Sequence, residues 1–172
     1  MNPNDEILPI VNPDGIVIGN ATRSQCHSGS MTLHPVVHLH VVKSDGSILL
    51  QKRSMTKIIQ PGKWDTAVGG HIAYGETPDE ALRREAEEEI GLTPNDIISV
   101  RAFNPYQMHS SVERELVYSH LALVYDSFIP RIESGETDML KFWSREDIEL
   151  KLGNNVFTPN FEDEYIRLLR HI

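Results

Sequence analysis

The apolar positions of this chain fall in short runs separated by turn-forming residues. Residues 8–11 and 16–18 are two such runs flanking Asn12-Pro13-Asp14-Gly15, and they predict a hairpin. Residues 36–42 and 47–51 flank Ser44-Asp45-Gly46 and predict a second one. Residues 65–68 read as a short strand ending at Gly69-Gly70. Residues 97–103, 116–125 and 140–143 read as further strands. A helix opens at Thr77-Pro78, where Thr77 suits the N-cap, Pro78 the first turn, and Glu80 completes a capping box. Gly91 closes it as a C-cap glycine. Within it Leu82, Ala86 and Ile90 recur every four residues, an apolar stripe that predicts docking on a sheet. Ser144, with Asp147 three residues on, caps a short helix, and residues 161–171 form a terminal amphipathic one. Strands outnumber helices without alternating regularly, which predicts an α/β sandwich: a mixed sheet covered by a few helices.

Composition narrows the class. The 172 residues suit one domain, 1–172, whose first 33 residues are a strand-turn-strand extension. Apolar residues at 40% and charged ones at 24% are ordinary for a globular protein. No stretch approaches the roughly 20 apolar residues of a membrane span, so no membrane partner is expected. The start, MNPNDEILPI, lacks the basic-then-apolar pattern of a secretory signal. Cys26 is the only cysteine, so no intrachain disulfide can form, and a reducing cytoplasm is the expected location.

Charge adds more. A formal net charge of -9 argues against nucleic acid as a partner, because that needs a basic footprint. Between Glu76 and Leu92 stand seven acids against Arg83 and Arg84. Such a run is ordinarily a solvated helix face. Here Glu85, Glu88 and Glu89 stand at i, i+3 and i+4, so three carboxylates share one face beside the apolar stripe. Their mutual repulsion and partial desolvation are relieved by a hard divalent cation, and Mg²⁺ pairs such carboxylates with substrate phosphates.

The surroundings follow a fixed pattern: Gly70, five residues, Glu76, seven residues, then Arg84-Glu85-Ala86-Glu87-Glu88-Glu89-Ile90-Gly91-Leu92. This resembles the Nudix box in full, over the 23 residues 70–92. The resemblance implies an α/β/α sandwich with a mixed sheet, and hydrolysis of a diphosphate bond with Mg²⁺ or Mn²⁺. It implies that Glu85, Glu88 and Glu89 hold the metal, with the backbone carbonyl of Gly69 as a supplementary ligand. It also makes Glu76 and Arg84 a structural ion pair.

Outside the box, from about Leu8 to Glu115, the chain resembles isopentenyl diphosphate isomerase, an enzyme of the Nudix fold. The residues matching that enzyme's metal ligands are His27, His34 and His71, then Glu113 and Glu115 in Glu113-Arg114-Glu115. The resemblance implies a second divalent site, and a His/carboxylate set suits Zn²⁺ or Mn²⁺. Glu115 has a separate claim as a catalytic carboxylate, since Nudix enzymes draw a further ligand or base from beyond the box. The isomerase's diphosphate-binding residues match Arg23, Arg53 and Lys57. Three departures count against isomerisation: Gly69 stands where the isomerase has a cysteine, Glu85 where it has a basic residue, and Asn155, just before Phe157-Thr158-Pro159, where it has an aromatic one.

The expected function is therefore hydrolysis of a nucleoside-diphosphate-type or related small-molecule diphosphate. Isopentenyl diphosphate isomerase is the first alternative. A non-catalytic sensor of nucleotide sugars is the second, weakened by the intact box. Phe103, Tyr106, Trp143 and Phe157 are candidates for stacking on a base, although aromatic residues are more often core. A homodimer is expected only because dimers are common in the family.

Overall fold

The computed structural model of the chain describes residues 2–133 and 135–172. It holds ten strands, β1 (Ile7–Val11), β2 (Val17–Thr22), β3 (Leu33–Val42), β4 (Ile48–Arg53), β5 (Trp64–Thr66), β6 (Val68–His71), β7 (Ile97–Ala102), β8 (Tyr106–His109), β9 (Arg114–Val124) and β10 (Thr137–Trp143). Four helices are interleaved with them: α1 (Arg23–Cys26), α2 (Pro78–Ile90), α3 (Arg145–Lys151) and α4 (Pro159–Leu168). β1 and β2 form an antiparallel two-stranded sheet, and the others form an eight-stranded sheet of order β10-β4-β3-β9-β7. In that sheet β5 pairs with β4, β6 with β3 and β8 with β9.

The chain divides into two compact units. One holds the chain up to His38 with Gly69–Glu85 and Ala102–His120; the other holds Leu39–Val68, Ala86–Arg101 and Leu121–Ile172.

In the first unit, Val11, Leu33 and Leu116 form a buried cluster with Tyr118 packed against it. In the second, an aromatic chain runs through the core, Trp64 to Trp143 at 5.1 Å between ring centres, Trp143 to Phe157 at 5.4 Å and Phe157 to Phe161 at 5.2 Å. That unit also buries a polar group, Glu164 of α4, which accepts from the Thr66 hydroxyl at 3.1 Å and lies 3.7 Å from His40. A buried polar group is tolerated only with such partners.

The α2 helix spans the predicted residues because its ends are set locally. Thr77 N–H donates to the Glu80 carboxylate at 2.9 Å and Glu80 N–H donates back to the Thr77 hydroxyl at 3.3 Å. Gly91 takes a φ of 68°, the left-handed conformation that ends the helix. Ala81, Leu82, Ala86 and Ile90 are buried, as the stripe requires. Likewise Ser144 accepts from Asp147 N–H at 3.1 Å and starts α3.

Three expectations change. The strand placed at 65–68 is two strands, β5 and β6, and β6 continues through Gly69 and Gly70 to His71. The terminal helix starts at Pro159, capped by Thr158, and ends at Leu168, short of His171. β8 and the four-residue α1 were not anticipated; α1 carries its own capping box between Thr22 and Gln25.

Candidate active site

The glycines of β6 set the site. A Cβ at Gly70 would collide with the Glu85 carboxylate, so only glycine lets that carboxylate lie against the strand. A Cβ at Gly69 would instead meet the His38 ring at 3.4 Å, an ordinary contact. Glu85 is anchored from its other neighbour too, accepting from Arg84 Nη1 at 2.8 Å. The same guanidinium donates to Glu76 through Nε at 2.8 Å and Nη2 at 2.9 Å, and to the His71 carbonyl at 3.1 Å. These bonds hold the Glu76 carboxyl below the usual carboxylate range. Glu76 also accepts from Ala73 N–H at 2.9 Å, which closes the loop between β6 and α2. Further along that loop, Tyr74 N–H donates to the Ile7 carbonyl at 3.1 Å and ties it to β1. Glu88 and Glu89 follow Glu85 on α2, Glu88 exposed and Glu89 half-buried.

All five residues expected at a second metal site lie in the first unit. His27, His34 and His71 bring one ring nitrogen each to within 4.8 Å of one another, as do the ligand atoms of His34, Glu113 and Glu115. The His27 and His71 Nε2 atoms are 3.0 Å apart. Two of the rings, His34 and His27, are oriented by what their other nitrogen touches. His34 Nδ1–H donates to the Thr32 carbonyl at 3.0 Å, so its Nε2 keeps the lone pair. That Nε2 is buried and has no hydrogen-bond partner among the described residues. His27 Nδ1 lies 2.9 Å from the Glu113 carboxylate, which directs its Nε2 toward His71. Glu115, buried at the start of β9, stands 3.8 Å from His34 Nε2.

The electrostatics keep His34 and His71 neutral. Burial pushes His71 down to about 3, helped by the charge of Arg23 and by His27, His34 and Arg84. Burial also lowers His34. The hydrogen bond from His27 holds Glu113 below the usual carboxylate range. Neutral His34 and His71 beside an ionised Glu113, around a buried nitrogen with no hydrogen-bond partner, are the states that a divalent cation requires, so the donor set fits one. The adjacent Cys26 is fully buried and its thiol is raised by burial and by Glu113. It is no substitute for a reactive thiol.

The residues expected to hold a diphosphate are placed differently from one another. Arg23 opens α1, near enough to the cluster to depress His71. Arg53 donates from Nε and Nη2 to the Ile59 carbonyl at 3.1 and 3.0 Å, with Nη1 3.6 Å from Asp65. Lys57 pairs with Glu136 at 2.8 Å. Both cations brace the loop between β4 and β5. Of the stacking candidates, Trp143 and Phe157 are core residues, while Phe103 and Tyr106 are half-buried. Two participants were missed: Thr32, whose carbonyl fixes the His34 tautomer, and His38 over Gly69. The alternation of His34, Val36 and His38 along β3 carried a signal for the second.

Comparison with known proteins bears on the family and the fold. The chain is 31% identical over 160 residues to an isopentenyl-diphosphate Delta-isomerase of Leifsonia xyli, covering 92% of this chain and 86% of that one. It is 42% identical over 90 residues to an uncharacterised Nudix hydrolase of Nostoc, 52% of this chain and 53% of the relative, so this match spans about half of each. A crystal structure from Deinococcus radiodurans superposes with a TM-score of 0.78 at 21% identity, covering 94% of this chain and 98% of that one. A MutT protein from Methanosarcina mazei gives 0.65 at 23% identity, covering 80% and 94%. The pattern of the NUDIX domain matches residues 32–162, more than half of the chain, and with the intact box on α2 this makes the protein a member of the Nudix family.

Proposed function

We propose that the protein hydrolyses a diphosphate bond in a small molecule of the nucleoside-diphosphate or prenyl-diphosphate type. The observation that carries the reading is the Glu85 carboxylate seated against Gly70 and held by Arg84, in the second half of α2, which continues to Glu88 and Glu89. Glu85, Glu88, Glu89 and the Gly69 carbonyl would hold Mg²⁺ or Mn²⁺, and the histidine–carboxylate cluster a Zn²⁺ or Mn²⁺ ion. When bound, such cations supply the positive charge that neutralises the diphosphate oxygens.

The rest falls to the chain. A box carboxylate or Glu115 takes the proton of the attacking water as its oxygen bonds to phosphorus. The bridging P–O bond breaks, and its electron pair leaves with the departing phosphate. Arg84 keeps Glu85 in place through the reaction, and Arg23 adds positive potential for an anionic substrate. In a screen of purified protein against a panel of diphosphates with Mg²⁺, Glu88→Gln and Glu89→Gln should lower kcat by orders of magnitude while the fold persists. A Glu89→Gln protein that turns over like wild type would refute the assignment.

A second reading is isomerisation of isopentenyl diphosphate, favoured by the assembled His27, His34, His71, Glu113 and Glu115 cluster and by the Leifsonia relative. It moves a double bond by adding and removing protons at carbon, so an acid and a base must flank the hydrocarbon. Gly69 offers no side chain for that work, which ranks this reading second.

A further inference from the structure

Along β3, His34, Val36 and His38 fall on one side of the strand, because successive side chains alternate. Nine of the ten residues of β3 are buried, and only His38 is half-buried, so this is where solvent reaches the strand. His34 belongs to the histidine–carboxylate cluster. His38 stands four residues on, roughly 13 Å further along the strand, and has no part in that cluster. A polar ring at the one open position of a buried strand calls for a role of its own.

The glycines of β6 show what the ring faces. At Gly70 the place of a Cβ is taken by the Glu85 carboxylate. At Gly69, on the other side of the strand, the same place is open. Apart from the glycine's own chain neighbours, the His38 ring is the only group within 4 Å of it among the described residues, with Cδ2 at 3.4 Å and Nε2 at 3.6 Å. Gly69, Gly70 and His71 are all half-buried, so solvent reaches this side of β6 as well. The result is a recess with a glycine floor and an imidazole wall, and Nε2 lies on the edge of the ring that faces it. Its surroundings suit an anion. Arg23 and Arg84 both act on His71, two residues along on the same side of β6. Glu85 lies across the strand, and Glu113 and Glu115 stand at the His34 end of β3.

On the hydrolase reading, we infer that His38 is a substrate-binding residue, whose Nε2–H donates to a phosphoryl oxygen of the diphosphate seated over Gly69. A neutral imidazole can make this bond, so no change of protonation is needed. Glycine at 69 supplies the room, since a longer side chain there would stand where the oxygen does. The bond forms when the substrate binds and persists while the bridging P–O bond breaks. It therefore acts on affinity and leaves the chemical step alone. A histidine that only edged the strand would affect neither.

Isothermal titration of the full chain with methylenediphosphonate in Mg²⁺ tests this apart from turnover, because that analogue is not hydrolysed. His38→Ala should weaken its binding roughly ten- to hundredfold, the loss of one hydrogen bond to a charged group. The same variant should raise KM for the best panel substrate by a similar factor while kcat changes little. His38→Gln, whose amide nitrogen can reach the place of Nε2, should recover most of the affinity. In nitrogen-labelled wild type the His38 ring resonances should shift on adding methylenediphosphonate, and this decides the matter if a variant fails to fold. A wild type that hydrolyses a diphosphate while folded His38→Ala keeps its KM and affinity overturns the inference and leaves the hydrolase reading standing. His38 resonances that stay fixed while the analogue binds overturn it in the same way. A wild type that neither binds the analogue nor hydrolyses any diphosphate of the panel overturns both.

Discussion

Arg84 donates to the backbone carbonyl of His71 at 3.1 Å while its other nitrogens hold Glu76 and Glu85. One guanidinium thus fixes a box carboxylate and the strand that carries a histidine of the second cluster. Arg84→Ala should cost about 1.5–3 kcal/mol in urea denaturation, the range for hydrogen bonds to charged groups. Arg84→Lys should recover only part of this, because an ammonium cannot reach three acceptors in a planar fork. Equal stability of Arg84→Lys and wild type would show that charge alone sufficed.

Acid should expose the Glu76 arm of this network. Because Arg84 holds the Glu76 carboxyl below its ordinary value, the unfolded chain binds that proton more readily than the folded one. The stabilisation is complete above the unfolded value of about 4.3 and is lost as pH falls through the lower folded value. Melting temperatures measured from neutral pH to about pH 3 should therefore fall once the pH drops below the unfolded carboxylate value. Glu76→Gln should be less stable at neutral pH and lose part of that acid dependence; an unchanged acid limb would assign it to other carboxylates.

The two glycines of β6 should respond oppositely to a methyl group. Gly69→Ala makes only an ordinary contact with His38 and should fold with near-native stability. Gly70→Ala drives a Cβ into the Glu85 carboxylate and should cost about 1–3 kcal/mol together with most of the diphosphatase activity. Urea midpoints and turnover on the best panel substrate separate them, and equal behaviour of the two variants would contradict the geometry.

His34 offers a direct test of the second cluster. Its buried Nε2 lacks a hydrogen-bond partner among the described residues and has Glu115 at 3.8 Å. Wild-type protein loaded with Zn²⁺ or Mn²⁺ and dialysed should retain metal by elemental analysis, and His34→Ala should lose it. Absence of bound metal in the loaded wild type would reduce the cluster to a buried hydrogen-bond network.

Isomerisation should be absent in the wild type and in Gly69→Cys, a change that the spacing to His38 allows to fold. Proton NMR of isopentenyl diphosphate in deuterated water reads this directly. Deuterium in dimethylallyl diphosphate from the wild-type protein would promote the isomerase reading to first place.

Where local chemistry sets an element, the residues announced it. Thr77, Glu80 and Gly91 fixed both ends of α2, and Ser144 with Asp147 fixed the start of α3. The split of β5 from β6 was hidden because a Gly-Gly pair ordinarily ends a strand. Here the strand runs on through the pair, and at Gly70 the Glu85 carboxylate occupies the place of a Cβ. Apart from Glu113 and Glu115, the members of the second cluster are separated in the chain and no periodicity links them; only the likeness to a known enzyme gathered all five. Arg53 shows the converse, a cation of plausible sequence placement whose guanidinium is turned to the carbonyl of Ile59 by a loop that no local pattern predicts.

The bond from Tyr74 N–H to the Ile7 carbonyl joins the N-terminal hairpin to the box loop through main chain alone. Both side chains are exposed, so substitution at either position leaves the bond intact. An inserted or deleted residue between Ile7 and Thr22 would turn the carbonyl away. The hairpin therefore acts on the box as a ruler: drift in its composition is silent, whereas a change in its length is felt at the loop that seats Glu76.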